Sequence, residues 1–210
     1  TILRQGRVVK TVQLNEIQDK YQLAALMVGQ DLSRSLEKRP FTPGGTVLQV
    51  EDLCYRDVEN IQVLDHISFY LRSGEILGVC GVDGNGQSEL IRCITGLLRP
   101  SAGAIYLDGQ NVTGKSPREM LGHGMAHIPE DRLKMAVLKE LSIQENLILH
   151  DFRQARFNRG GWLRKQAIRK ESQALCQRYY VKTPSVDEKL ENLSGGNQQK
   201  VLLGRWLHRN

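Results

Sequence analysis

The chain has 210 residues, 40% hydrophobic and 25% charged, with a formal net charge of +6. That balance fits an ordinary globular chain of one or two domains, and no signal peptide or long apolar run points to a segment that crosses a bilayer. The excess lysines and arginines are scattered and make no aromatic–basic platform, so nucleic acid is not expected as a partner and a solvated surface is the simpler reading.

The chain opens at Thr1 with a short alternating stretch over residues 1–12, predicted to form a hairpin around Gln5-Gly6. Leu23, Ala24, Leu26 and Met27 then follow in a predicted helix closing at Gly29. Residues 34–45 are charged and then carry Pro40, Pro43, Gly44 and Gly45, the composition of a linker, and a new domain is expected near Thr46. Strands are predicted over Thr46–Leu53, Ile67–Leu71, Gly103–Leu107 and Met125–Ile128. The apolar run Ile76–Cys80 reads as a buried parallel strand. Helical patterns occupy Ser142–Leu149 and Trp162–Tyr180, and the densest basic run, from Arg153 to Lys170, flanks the predicted helix around Trp162. Its charge reads first as a solvated helix face and second as a contact with lipid headgroups.

Two glycine clusters carry the chemistry. Gly81-Val82-Asp83-Gly84-Asn85-Gly86-Gln87-Ser88 follows the Ile76 run and precedes a helical pattern of Leu90, Ile91, Ile94, Leu97 and Leu98. Strand, glycine loop and helix together wrap backbone N–H groups around phosphate, with Ser88 placed to reach a magnesium ion. Gln87 stands where the phosphate-loop pattern has lysine. A neutral amide can hydrogen-bond a phosphate but cannot offset the charge of a leaving γ-phosphoryl group, so this reads as a degenerate loop in which binding survives better than hydrolysis. In the second cluster, Leu193-Ser194-Gly195-Gly196-Asn197-Gln198-Gln199-Lys200, an N-cap serine and two glycines open a helix with apolar Val201, Leu202, Leu203 and Trp206. Unpaired N–H groups and the positive end of the dipole emerge there.

The second octapeptide resembles the signature motif of ATP-binding cassette (ABC) transporter ATPases, and its Asn-Gln-Gln-Lys ending looks like the simple-sugar and nucleoside importer branch. Residues 81–90 are similar to the second cassette of tandem ATPases in that branch, where the lysine is often absent. The resemblance implies an α/β fold of the P-loop NTPase, ABC-ATPase type, with an antiparallel β part and a helical subdomain, truncated at its C-terminal end. Residues 1–33 would be the C-terminal tail of a preceding cassette, 34–45 the linker, and 46–210 a second cassette ending after the signature helix. On that reading the family's aspartate-bearing strand, catalytic glutamate and switch histidine fall outside the sequence, so no catalytic residue is assigned and the stretch alone is expected to be inactive.

By the same resemblance, nucleotide would be held by Gly81, Gly84, Asn85, Gly86, Gln87, Ser88 and Glu89. Tyr55 is the candidate adenine platform, though it reads equally well as a strand-end surface tyrosine. Glu130 takes the place of the family's Q-loop glutamine within Ile128-Pro129-Glu130-Asp131-Arg132, and Ser88 and Glu130 are the candidate magnesium ligands. Leu193, Ser194, Gly195, Gly196 and Gln198 would serve ATP bound at the partner site, in the first cassette of the same chain. The implied cofactors are ATP and Mg. The implied partners are transmembrane permease subunits and an extracytoplasmic substrate-binding protein, at the cytoplasmic face of the membrane, and the segment to Leu138 would touch the permease. The cargo would be a nucleoside or a simple sugar, with residues 81–90 favouring nucleosides. A soluble ABC-type factor of DNA repair or translation is the alternative, and it is weakened by the Asn-Gln-Gln-Lys ending. Cys54, Cys80, Cys93 and Cys176 form no Cys-x-x-Cys pair or zinc set, and the five histidines form no spaced set.

Overall fold

The structure is a computed structural model that describes residues 1–4, 6–13, 20–28, 41–131 and 135–208. By its internal contacts the chain divides into two compact units, residues 1–45 with 72–76, and residues 46–71 with 77–210.

In the first unit, β1 (Ile2–Arg4) pairs antiparallel with β2 (Arg7–Lys10), and α1 spans Lys20–Val28. The helix end expected at Gly29, most of the linker and Arg132 lie outside the described residues. Two backbone hydrogen bonds, Gly44 N to Ser73 O (3.1 Å) and Ser73 N to Gly45 O (2.8 Å), join the remaining pieces of this unit.

The second unit begins with β3 (Thr46–Arg56) and β4 (Gln62–Arg72), a hairpin longer than the sequence predicts. Asp57 closes its turn, its Oδ1 accepting hydrogen bonds from the backbone of Glu59 and Ile61. With β5 (Ala102–Leu107) and β6 (Gln110–Asn111) these strands make a four-stranded sheet in the order β4-β3-β5-β6. The β3–β5 pairing is antiparallel and shifts register between Glu51 and Cys54. Asp52, at φ 45°, sits within that bulge. One face of the sheet buries Val50, Leu53, Leu64 and Ile105 against Leu90, Cys93 and Ile94 of α2 (Gln87–Ile94) and Met120 of α3 (Pro117–Gly122).

A second core is helical. Ile143 and Leu147 of α4 (Ile143–Ile148), Leu175 and Cys176 of α5 (Lys165–Arg178) and Val201 of α6 (Gly195–Leu207) close on Val186, Leu190 and Leu193. Both short helices start with a reciprocal cap: the Ser116 and Ser142 hydroxyls accept from the N–H three residues on, and Glu119 and Glu145 accept in return.

Three expectations are corrected. Ile76–Cys80 and Met125–Ile128 are not strands, and Ile76 is 99% exposed. A parallel strand is held by neighbours on both sides, and among the described residues no strand pairs with either segment. The helix expected from Trp162 begins at Lys165 instead, because Gly160 and Gly161, at φ 58° and 92°, turn the chain into a tight hairpin of β7 (Asn158–Arg159) and β8 (Trp162–Leu163). The antiparallel sheet and the helical group expected for the fold class are both present.

Hydrogen exchange should therefore be fast at the amides of 76–82 and slow at the cross-strand amides of β3 and β5, and equal protection would contradict this arrangement. The cap also carries a pH signature. Glu145 is held below its ordinary value of 4.5, first by the Ser142 hydroxyl and then by the Ser142 N–H. A depressed carboxylate stabilises the fold above its unfolded pKa and loses that contribution as pH falls through the folded one. Glu145→Gln should cost about 1 kcal/mol or less in urea unfolding at neutral pH, and nothing in acid where the wild-type carboxyl is protonated.

Candidate functional site

The glycine loop lies where α2 begins. Gly86 is the residue before the helix, at φ 90°, and a Cβ there would stand 3.0 Å from the Val63 carbonyl oxygen. Its neighbour Gln87 folds back over the loop: Nε2 donates to the Val82 carbonyl at 3.1 Å and fills the place a Cβ on Gly81 would take, 1.9 Å away. Asn85 N donates to the same carbonyl at 3.2 Å, closing the turn. The side chain in the lysine position is thus spent on the loop itself.

A cleft of ≈ 280 Å³ opens beside this turn, bringing Gly84, Gly86, Gln87, Ser88 and Glu89 together with Tyr55. Tyr55 is half-buried and packs against the sheet core, so its ring is fixed at the cleft wall. Gly81 and Asn85 shape the turn without lining the cleft, and Glu130 is exposed and lines no part of it. Asp57, Asp83 and Arg92 also line it. Sequence reasoning missed all three, although Arg92 follows Ser88 by four residues on one helix face, a spacing that carries the signal. Three acids, Asp57, Asp83 and Glu89, against one arginine leave this cleft net acidic. Cys93, one turn beyond Glu89, has its thiol pushed up to about 11, first by burial and then by Glu89.

The second cluster is built differently. Ser194 is the residue before α6, in extended conformation, and its hydroxyl oxygen accepts from Asn197 Nδ2 at 3.0 Å rather than from the helix backbone. Asn197 Oδ1 in turn accepts from Lys182 N at 2.9 Å, which fixes the amide. Gln198 is buried and donates to the carbonyls of Leu190 (3.1 Å) and Leu193 (3.0 Å), pinning the turn that leads into the motif. Leu193 is buried in the helical core, while Ser194, Gly195 and Gly196 face solvent. A Cβ on Gly196 would meet nothing within 4 Å. No packing among the described residues requires that glycine, and the open space leaves the first N–H groups of α6 accessible to an anion.

An apolar cavity of ≈ 750 Å³ lies elsewhere in the same unit, with Met120, Met125, Leu138, Leu149, Phe152 and Trp206 in its wall. His127 lines it, and burial holds its pKa below the ordinary histidine value. Across β3 and β4, Cys54, Asp65 and His66 bring potential metal-ligand atoms within 4.8 Å of one another. Linear spacing hid that group because its members come from two strands joined by a turn, while the other cysteines stand apart from it among the described residues.

Comparison with known proteins gives these features a setting. The family model described as "ABC transporter" matches residues 64–210. The guanosine import ATP-binding protein NupO of Bacillus subtilis is 37% identical over 210 residues, covering 100% of this chain and 41% of that protein. The nucleoside import ATP-binding protein NupA of Lactococcus lactis is 33% identical, with 100% and 41% covered, and the glucose import ATP-binding protein TsgD13 of Haloferax volcanii is 35% identical, with 100% and 38% covered. The chain therefore spans about two fifths of the length of these relatives. Among solved structures, an ATP-binding cassette of an ABC transporter in its ADP conformation matches with TM-score 0.58 at 23% identity, covering 77% of this chain and 64% of that one. The cassette cbiO1 of Clostridium perfringens matches with TM-score 0.60 at 21% identity, covering 78% and 61%. These likenesses carry the α/β, P-loop NTPase fold class.

Gln198→Leu should leave two buried carbonyls without their donor and cost about 1–3 kcal/mol in urea unfolding, whereas Gln199→Leu at the neighbouring exposed position should cost little.

Proposed function

Because the chain belongs to the ABC transporter family, we propose that it is part of the ATP-binding subunit of an importer, coupling ATP binding and hydrolysis to uptake of a nucleoside or simple sugar. On this reading residues 1–33 end a first cassette, 34–45 link, and 46–210 form most of a second. Nucleosides are the favoured cargo, since NupO and NupA carry nucleoside names and residues 81–90 resemble that branch. The subunit sits at the cytoplasmic face of the membrane, with permease subunits and an extracytoplasmic binding protein as partners. The apolar cavity beside Leu138 is the seat for a permease segment.

The observation that carries the reading is the contrast between the two glycine clusters. Gln87 closes the phosphate loop on its own Val82 carbonyl, so this cassette holds nucleotide with one charge fewer and hydrolyses it poorly. The loop still fits a magnesium nucleotide: Ser88 is exposed at the helix start, Tyr55 flanks the cleft as a base platform, and the surrounding acids favour a phosphate that arrives with its cation. Ser88, at the cleft, is the proposed magnesium ligand, while Glu130 lies outside it. Bound magnesium would neutralise phosphate charge. The open Ser194–Gly196 turn instead presents free N–H groups outward, as a contribution to ATP held by the first cassette.

In the full-length protein, Ser194→Arg should abolish most ATPase activity and Gln87→Ala should reduce it much less; equal losses would remove the asymmetry. Gly196→Ala separates fold from function. It should raise helix stability by up to about 1 kcal/mol, yet lower turnover by filling the space above the α6 N-terminus. Gln87→Lys should tighten magnesium nucleotide at this cassette about tenfold or more, as a charged donor replaces a neutral one. Fluorescent-nucleotide titration measures that change. Cys80 supplies an independent reporter, since it is exposed and adjoins the loop at Gly81. Magnesium nucleotide should slow its alkylation and leave buried Cys176, whose thiol burial pushes up to about 11, unlabelled throughout.

A further inference from the structure

The helical part of the second unit carries a feature that nucleotide chemistry does not use. Residues 152–170 contain seven of the chain's 29 lysines and arginines and none of its 23 acids, so outside this segment the cations and acids nearly balance. The net charge is in effect the charge of this one stretch. At its centre is the β7–β8 hairpin, which holds Trp162 83% exposed and Leu163 48% exposed.

The hairpin is firmly mounted. Phe157, immediately before β7, is 2% exposed and packs with Ile148 and Ile168. Arg164 N donates to the Phe157 carbonyl at 2.8 Å, and Gly161 N donates to Asn158 Oδ1 at 2.9 Å. An indole held out on a braced turn costs solvation that an unused surface residue would not keep.

The charges around it are equally out of keeping with the local helix. Helix N-termini favour acids, and α3 and α4 each place a glutamate in the first turn. Helix α5 begins with Arg164 at its cap and Lys165 at its first position, has no acid in its first turn and no side-chain cap. Three cations of the stretch are engaged internally: Arg156 with Asp151 and Glu171, Arg169 with Asp187, and Arg153 over the Phe152 ring. Arg159, Arg164 and Lys165 flank the exposed Trp162.

We propose that this hairpin is a membrane-surface anchor, with Trp162 and Leu163 entering the interface of an anionic bilayer while Arg159, Arg164 and Lys165 meet its headgroups. An amphipathic indole ringed by cations is the complement of a boundary that is apolar on one side and negative on the other. The contact needs neither nucleotide nor permease, so it goes beyond the importer reading and is tested apart from it.

The test uses the intact protein, purified without membrane partners, in flotation with vesicles of equal parts phosphatidylcholine and phosphatidylglycerol. The expected result is flotation at low salt, loss in molar salt, and no flotation with phosphatidylcholine alone. The emission difference between wild type and Trp162→Phe should shift to the blue on binding. Trp162→Ala should weaken binding about tenfold, and the triple change Arg159→Gln, Arg164→Gln, Lys165→Gln on the order of a hundredfold. All four side chains are exposed, and unchanged circular dichroism and nucleotide binding confirm that the variants fold. Absence of flotation, equal flotation with neutral vesicles, or an unmoved Trp162 emission would overturn the proposal. So would a polyanion such as RNA competing fully while Trp162→Ala binds like wild type, since the surface would then be a general basic patch.

Discussion

Asn146 ties the helical unit together. It is wholly buried on α4, and its side chain spans the loop that precedes the helix. Oδ1 accepts from Leu138 N at 3.0 Å, while Nδ2 faces the carbonyls of Leu138 at 2.8 Å and Ser142 at 3.1 Å. Its own carbonyl accepts from Arg205 on α6 at 3.5 Å, and the other terminal nitrogen of that guanidinium donates to Ala136 O at 2.5 Å. A buried polar group is costly unless it is hydrogen-bonded, so these bonds hold the loop, α4 and α6 together. Burial brings Arg205 down only to about 10, so it stays charged at neutral pH and keeps donating. The direction in which Ser194 and Gly196 point, one helix length away, is inherited from that lock.

The two glycine clusters divide the work of presenting backbone N–H groups along different lines. At α2 the backbone is bent by positive φ at Gly84 and Gly86, and the turn is stitched internally by Gln87 and Asn85. At α6 the helix start is straight, the stitching is done behind the motif by Asn197 and Gln198, and the front is left open. A self-satisfied loop binds by yielding bonds it already has, whereas an open helix start binds by making new ones. That difference in cost is what separates the two clusters.

What the sequence made legible was local. The hairpin of residues 1–12, the helix over Ser142–Leu149 and the glycine loop before α2 are each set by residues close in the chain. The cleft followed in part: Ser88 and Glu89 share it with Tyr55, brought there by the β3–β4 hairpin, while Glu130 stands outside it. Ile76–Cys80 and Met125–Ile128 were misread because an apolar run states only that a segment can be buried. Whether it becomes a strand depends on partners that periodicity does not name. Trp162 was misread for the opposite reason. Its helical spacing with later residues was real, but two consecutive glycines at positive φ overrode it.

Long-range polar pairs were the least legible. Asp151 is almost fully buried, with His208 Nε2 3.6 Å from one carboxylate oxygen, Arg156 3.6 Å from the same oxygen, and Gln154 Nε2 2.7 Å from the other. His208 sits 57 residues further along the chain and reaches this group only because α6 returns alongside α4. A spacing argument could name it solely as a lone histidine. Its other ring nitrogen lies 2.7 Å from Gly204 O, so both nitrogens are committed and the ring cannot swing away without breaking a contact at each end. The same α6 that opens with unsatisfied N–H groups at Ser194 is therefore closed at its far end by a buried imidazole and carboxylate. Rigidity at one terminus is what lets the other remain exposed and still keep its aim.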